Sequence, residues 1–216
     1  MPPRPPRVYL VTDPSAGTDV VRRAGAALSA IPPGTAALQL RHRGAGGREL
    51  LALALALREA ADRAGQSLLV NDRVDVALAA GADGVHLPSA GIPPADARAL
   101  LGPGRLLAVS CHSADDVARA RNAGADFATF GPVFDTPSKR PWGEPVGPER
   151  LREAARLGLP LVGLGGVDAG NAAEVARAGA WGVAAIRAWL DAPDPAEAVR
   201  GLMAAFEQGR SGWHGR

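Results

Sequence analysis

Three times along the chain an alanine-rich stretch with its charges on one helical face ends in Gly-Ala and passes at once into a short apolar run. The three are Gly81-Ala82-Asp83-Gly84-Val85-His86-Leu87, Gly124-Ala125-Asp126-Phe127-Ala128-Thr129-Phe130-Gly131 and Gly179-Ala180-Trp181-Gly182-Val183-Ala184-Ala185-Ile186. Glycine just past a helix end supplies the left-handed cap conformation. The apolar runs lack polar alternation, the pattern of strands covered on both faces in a parallel sheet. Extending the reading to the intervals predicts eight strands, at 8–12, 36–41, 68–71, 84–86, 106–110, 127–130, 161–164 and 182–185. Between and after them, helical periodicity covers 18–30, 47–64, 73–80, 94–101, 114–123, 148–157, 171–178 and 196–206. Strict strand-then-helix alternation demands a parallel sheet, and eight units of roughly 27 residues close it into a compact (β/α)8 TIM barrel. The expected layout is a disordered lead over 1–7, one α/β barrel domain over 8–207 and a flexible tail over 208–216; a doubly wound open sheet is the competing architecture.

Composition narrows the function classes. A chain of 216 residues, 47% apolar and 21% charged, can bury a full core in one domain. Its net charge of +2 is nearly balanced, and no Lys/Arg cluster interleaves with aromatics, so nucleic acid is not an expected partner. Cys111 is the single cysteine, which excludes an internal disulfide and any CxxC-type metal site and suits a reducing cytoplasm. The longest apolar stretch, Leu50 to Leu57, is too short to cross a bilayer, and the opening residues lack the apolar region of a signal peptide, so no membrane partner is expected.

In a barrel, chemistry gathers where strands end and the following loops begin. Those positions are polar nearly every time: Thr12 and Asp13; Gln39, Arg41 and Arg43; Asn71 and Asp72; His86; Ser110 and His112; Thr136, Ser138 and Lys139; Gly165 and Gly166; Arg187. Lys139 is the only lysine against 23 arginines, in a place that wants a compact, rotatable ammonium, and its hydroxyl neighbours Thr136 and Ser138 complete the ingredients of a phosphate pocket. Gly165-Gly166 after strand seven and Ala185-Ile186-Arg187 after strand eight stand where this fold usually grips phosphate. If the chain stays extended through Ser110-Cys111-His112, alternation sends Ser110 and His112 into the barrel mouth and Cys111 to the helix layer. His112 is then the expected proton carrier, since imidazole titrates near neutrality. His86 is expected to make structural hydrogen bonds.

From Tyr9 to about Leu190 the chain resembles the thiamin phosphate synthase and TenI family of (β/α)8 barrels. The resemblance rests on Tyr9-Leu10-Val11-Thr12-Asp13, Gln39-Leu40-Arg41, Asn71-Asp72-Arg73-Val74-Asp75-Val76-Ala77, Gly81 to Leu87, Gly131-Pro132-Val133-Phe134 with Thr136-x-Ser138-Lys139, and Leu164-Gly165-Gly166-Val167. It implies one of two thiamin-pathway reactions. A synthase joins hydroxymethylpyrimidine diphosphate to thiazole phosphate and releases pyrophosphate held by Mg²⁺. Gln39, Arg41, Asn71, Asp72, Ser110, Thr136, Ser138 and Lys139 match its pyrimidine diphosphate positions, Arg43 replaces a usual lysine, and Gly166 matches the thiazole phosphate site. The synthase pattern puts a second metal carboxylate where this chain has Gly91, after Pro88-Ser89-Ala90, leaving Asp72 as the one matching metal ligand.

The Leu87-Pro88-Ser89 turn and Ser110-Cys111-His112-Ser113 resemble the TenI branch, whose members isomerise a thiazole carboxylate phosphate to its aromatic tautomer without a metal. The first expectation is therefore a thiazole tautomerase, with His112 moving the proton, no cofactor, and Gly165, Gly166, Ile186 and Arg187 around the phosphate. The alternative is the synthase with Mg²⁺. Less favoured are a Schiff-base aldolase through Lys139 and a non-catalytic barrel that binds a phosphorylated ligand and acts through a partner protein. The expected partners are small phosphorylated molecules and, through barrel helices, a second copy of the chain.

Overall fold

A computed structural model describes residues 4–13, 19–136 and 144–211. Eight parallel strands, β1 (Val8–Val11), β2 (Ala36–Leu40), β3 (Ser67–Asn71), β4 (Gly84–Leu87), β5 (Leu106–Cys111), β6 (Phe127–Phe130), β7 (Leu161–Gly163) and β8 (Gly182–Ala185), form a closed barrel in sequence order. The ring closes through β1 and β8, with Tyr9 in register with Ala184. Outside it lie α1 (Val20–Leu28), α2 (Gly47–Arg63), α3 (Val74–Ala79), α4 (Pro94–Leu101), α5 (Ala114–Asn122), α6 (Gly147–Ala155), α7 (Ala172–Arg177), α8 (Arg187–Leu190) and α9 (Pro195–Ser211). The open-sheet alternative is excluded by this closure.

Strand parity divides the core in two. One side of each strand points inward, where Tyr9, Val11, Ala37, Leu69, Leu106, Ala108, Phe127, Val162 and Ala184 pack together. The other side meets the helices, with Leu10, Leu38, Leu68, Val70, Phe130, Leu161 and Val183 buried against such residues as Leu28, Leu57, Leu151 and Phe206. Burying each such large side chain contributes roughly 1.5–3 kcal/mol, so both layers are needed to offset the entropy of ordering the chain.

The threefold Gly-Ala repeat has a structural reason beyond the cap. Gly81, Gly124 and Gly179 have φ of 63°, 81° and 87°, and the residue two places on meets an arginine at the foot of the barrel. Asp83 accepts from the Leu68 amide at 2.8 Å and from Arg58 of α2. Asp126 accepts from the Leu107 amide at 2.7 Å and from Arg98 of α4 at 2.6 Å. In the third repeat Trp181 stands in the aspartate's place, and the Arg7 guanidinium lies 3.8 Å from its ring centroid.

That last contact alters the expected boundaries. Pro5 and Arg7, placed in a disordered lead, are tied down: Trp181 Nε1 donates to Pro5 O at 2.9 Å, and Arg7 Nη1 donates to Trp181 O at 2.7 Å. At the other end α9 runs on through residues 208–211, expected in the tail, because Phe206 and Gly209 remain buried. The short α8 was not foreseen, its four residues being too few for a periodicity to register.

Candidate active site

The inward parity of the strands places a polar layer just below the carboxyl-terminal mouth. Gln39, His86 and Thr129 are buried there, and Ser110 is half-buried at the end of β5. Asn71 is in register with His86, and Ser110 with Thr129, so each pair shares a side of the sheet. Gln39 Nε2 donates to the Tyr9 hydroxyl at 3.2 Å, that hydroxyl lies 3.1 Å from His86 Nδ1, and His86 Nε2 lies 2.9 Å from Ser110 Oγ. The Tyr9 ring stacks on His86 at 5.7 Å between centroids and meets Phe127 edge-on. Burial pushes the His86 pKa down to about 3, with the Arg41 charge adding to the effect, so the imidazole is neutral. The same burial raises the Tyr9 phenol, against the Gln39 hydrogen bond, and keeps it protonated. Tyr9 and Thr129 escaped the sequence reading, although inward parity on β1 and β6 was the signal that could have found them.

Above this layer sits a cationic rim. Thr12 Oγ1 accepts from the Arg41 amide at 2.8 Å and joins the loops after β1 and β2. Arg41 Nη1 reaches Asp13 Oδ2 at 3.2 Å. Burial and the nearby Arg43 lower the Arg41 pKa, Asp13 opposing them, but a guanidinium remains charged under any ordinary condition. Arg43 is exposed at the rim.

Asp72 has φ of 64°, the one positive φ outside glycine among the described residues. Aspartate tolerates this left-handed conformation better than most residues, and the Asp72 amide is satisfied by His86 O at 2.9 Å. Its carboxylate lies against Gly91: a Cβ built there would stand 3.0 Å from Asp72 Oδ1. Among the described residues no three His, Cys, Asp or Glu side chains cluster as a metal site.

The loops after β6 and β7 are interlocked. Val133 N donates to Leu164 O and Phe134 N to Gly165 O, both at 2.9 Å. Gly165 and Gly166 take φ of 100° and 63°, and a Cβ on either would come within 2.6 Å of Pro132 Cα or Asp135 O respectively. Glycine is obligatory there on both counts. Thr136 is half-buried at the end of this stretch, while Ser138 and Lys139 lie outside the described residues. Ile186 packs at the top of the inner core, and Arg187 is exposed at the start of α8.

His112 does not follow the expected alternation. The strand ends at Cys111, and Ser113 caps α5 by accepting from the Asp116 amide at 3.1 Å, while Asp116 accepts in return. This turn carries His112 into a groove between α5 and α6, a cavity of about 290 Å³ lined also by Phe130, Arg150 and Glu153. Its Nδ1 donates to Gly131 O at 2.5 Å. Ser110 alone of the pair joins the interior layer. Cys111 faces the helix layer as expected, and burial raises its thiol to about 12.

With the geometry in view, the comparison with known proteins is direct. The sequence profile described as thiamine monophosphate synthase matches residues 8–189. The chain belongs to that family. Among relatives of the thiamine monophosphate synthase family, the thiamine-phosphate synthase of Roseiflexus sp. is 44% identical over 205 residues, covering 92% of this chain and 84% of its own. That of Chlorobium luteolum is 41% identical over 212 residues, covering 97% of each. The solved thiamine phosphate pyrophosphorylase of Pyrococcus furiosus matches with a TM-score of 0.85 at 31% identity, covering 94% of this chain and 96% of that one. This thiamine monophosphate synthase family member is thus related to enzymes named as synthases, transferases of thiamin biosynthesis, and the tautomerase expectation gains no support from these relatives.

By the family resemblance, Asp72 is the residue that would hold a synthase-type Mg²⁺. Mg²⁺ is commonly anchored by one or two carboxylates together with substrate phosphates and water. Asp72 supplies one anionic ligand beside the polar layer, and Gly91 supplies none. The residues fit a metal that takes its remaining ligands from the substrate.

Proposed function

We propose that this chain is a thiamine-phosphate synthase, joining hydroxymethylpyrimidine diphosphate to thiazole phosphate with release of pyrophosphate. The observation that carries this reading is the juxtaposition of Gln39, Asn71 and Ser110 in one inward-facing polar layer with Asp72 at its edge. Amide and hydroxyl groups of that kind can hold a polar heteroaromatic ring at the bottom of the mouth. The charged rim above would receive its diphosphate, with Arg41 and Arg43 supplying fixed positive charge. Thr136, Ser138 and Lys139 are proposed to bind the same group, and Gly165, Gly166, Ile186 and Arg187 the thiazole phosphate.

Breaking the carbon–oxygen bond to the diphosphate leaves negative charge on the departing oxygens, so stabilisation there lowers the barrier most. A bound Mg²⁺ would supply part of that stabilisation, held by Asp72. The chain's own share is positional: it keeps the pyrimidine in a buried layer whose imidazole is neutral and fixes the cations at the opposite end. His112, in the groove between α5 and α6, stands outside this layer, which weighs against a proton shuttle in the mouth.

The test is to incubate the protein with both substrates and Mg²⁺ and to follow thiamin phosphate and pyrophosphate together. The synthase reading expects both products in equal amounts. Turnover of the thiazole carboxylate phosphate tautomer alone, with no coupling, would restore the tautomerase.

A further inference from the structure

The interior layer contains a hydrogen-bond chain whose direction can be worked out from proton counting. Gln39 Nε2 donates to the Tyr9 oxygen at 3.2 Å. The single phenolic proton of Tyr9 is then left for its other neighbour, His86 Nδ1, at 3.1 Å. A neutral imidazole carries one proton, so if Nδ1 accepts, Nε2 donates. The partner nearest to Nε2 is Ser110 Oγ at 2.9 Å, with Thr129 Oγ1 a distant second at 3.5 Å. Ser110 receives that proton, and its own hydroxyl proton remains to be donated. Tyr9, Gln39 and His86 are all buried, whereas Ser110 is half-buried at the mouth. The chain therefore runs from the closed interior to the open end.

We infer that Tyr9 and His86 are positioning residues that fix the Ser110 hydroxyl as a hydrogen-bond donor facing the barrel mouth, and so select a substrate atom that carries a lone pair and no proton. Neither residue needs to touch substrate. Their effect is to remove the rotational choice of one hydroxyl, which would otherwise donate to His86 as readily as to a ligand. The inference rests on the synthase reading only where it concerns the pyrimidine substrate; the direction of the hydrogen bonds stands without it.

Nitrogen-15 NMR of histidine-labelled protein reads the chain directly. The expected spectrum assigns His86 as the Nε2–H tautomer with Nδ1 bearing a hydrogen-bonded lone pair. A protonated Nδ1 would overturn the inference, since the chain would then run the other way. In Tyr9→Phe the Nδ1 resonance should move toward that of a free lone pair while the thermal transition remains cooperative.

Kinetics supply the second arm. Ser110→Ala should raise KM for the pyrimidine diphosphate by roughly tenfold, the worth of one well-placed hydrogen bond, with a smaller change in kcat. Tyr9→Phe alone should raise KM by roughly threefold, and Tyr9→Phe with Ser110→Ala no further than Ser110→Ala alone. Multiplying effects in the double variant would show that Tyr9 does not act through Ser110. If Tyr9→Phe yields no folded protein, the wild-type tautomer alone decides the matter. Absence of thiamin phosphate with the wild-type protein would sink the synthase reading and leave the relay to be judged by the spectrum.

Discussion

Gly91 faces Asp72 across the loops that leave β4 and β3: a Cβ added to Gly91 would lie 3.0 Å from Asp72 Oδ1. The position where the family resemblance implies a second metal carboxylate is therefore adjacent in space to Asp72, the proposed metal ligand, and lacks only the side chain. Gly91→Asp should bring two anions together and raise Mg²⁺ affinity in the absence of substrate by roughly tenfold or more, since cation affinity follows ligand charge. The neighbouring Pro88 oxygen, 3.2 Å from the same Cβ position, makes the fit tight, so a slightly lower thermal midpoint should accompany the gain. Calorimetric titration of Mg²⁺ into the wild-type and variant proteins measures it, and equal affinities would show that position 91 does not face the ion.

Asp72→Asn separates charge from conformation. Asparagine also accepts a φ of 64°, so the loop after β3 should keep its shape and the protein its stability. The anionic ligand is lost, and coupling should fall by about a hundredfold to a thousandfold, the range for removing a group that stabilises developing charge. Asp72→Ala should lose the same activity and, in addition, some stability, because alanine is strained at this φ. Product formation and urea unfolding on the two variants distinguish the effects.

His86 gives the fold an acid-sensitive element. Its pKa is about 3 in the folded protein against about 6.5 for an ordinary exposed imidazole, so the unfolded chain binds the additional proton between these values. Stability from a neutral His86 is fully present above pH 6.5 and is lost as pH falls from there toward 3, by up to roughly 1.4 kcal/mol per pH unit. Urea unfolding between about pH 6.5 and pH 5, above the range where most carboxylates titrate, should show the decline. His86→Gln should flatten it; an unchanged slope would assign the acid sensitivity elsewhere.

The foot of the barrel should be as sensitive as its mouth is active. Asp126 accepts from Leu107 N and Arg98 Nη2 with the same oxygen, so Asp126→Ala takes the acceptor from a strand amide and the counter-charge from a guanidinium that keeps only backbone carbonyls. The expected loss is about 1–3 kcal/mol, reduced by the partial exposure of the carboxylate. Asp126→Asn should recover part of it by keeping the acceptor for Leu107. Thermal melts of the pair, with coupling activity unchanged in the surviving folded fraction, would confirm a purely structural role.

Most of the barrel was legible because each strand is an apolar run and each turn out of a helix carries glycine, signals local to a few residues. The rim residues were legible as polar ends to apolar runs. His112 was misplaced because alternation holds only while the chain is extended, and the capping box of Ser113 and Asp116 begins one residue later. His86 makes the structural hydrogen bonds expected of it, but their partners were illegible for another reason. Its partners Tyr9 and Ser110 are 77 and 24 residues away in sequence, and only ring closure brings them together. Pro5 and Arg7 resembled an unstructured lead because their anchor, Trp181, comes from the far end of the chain.

Cys111 provides a chemical check on where β5 ends and which way its last residue faces. The thiol is 1% exposed, and burial foremost, with the Asp116 charge, raises its pKa to about 12. Thiolate is the reactive form, so at about pH 8 the native protein should resist iodoacetamide, while the guanidinium-unfolded protein is alkylated fully at this one position. If β5 were shifted by one residue, so that Cys111 took the inward face of Ser110, the thiol would stand at the barrel mouth and react in the native state, and substrate would protect it. Mass spectrometry of native and unfolded samples distinguishes the two registers, and rapid native labelling would show that Cys111, not Ser110, faces the interior layer.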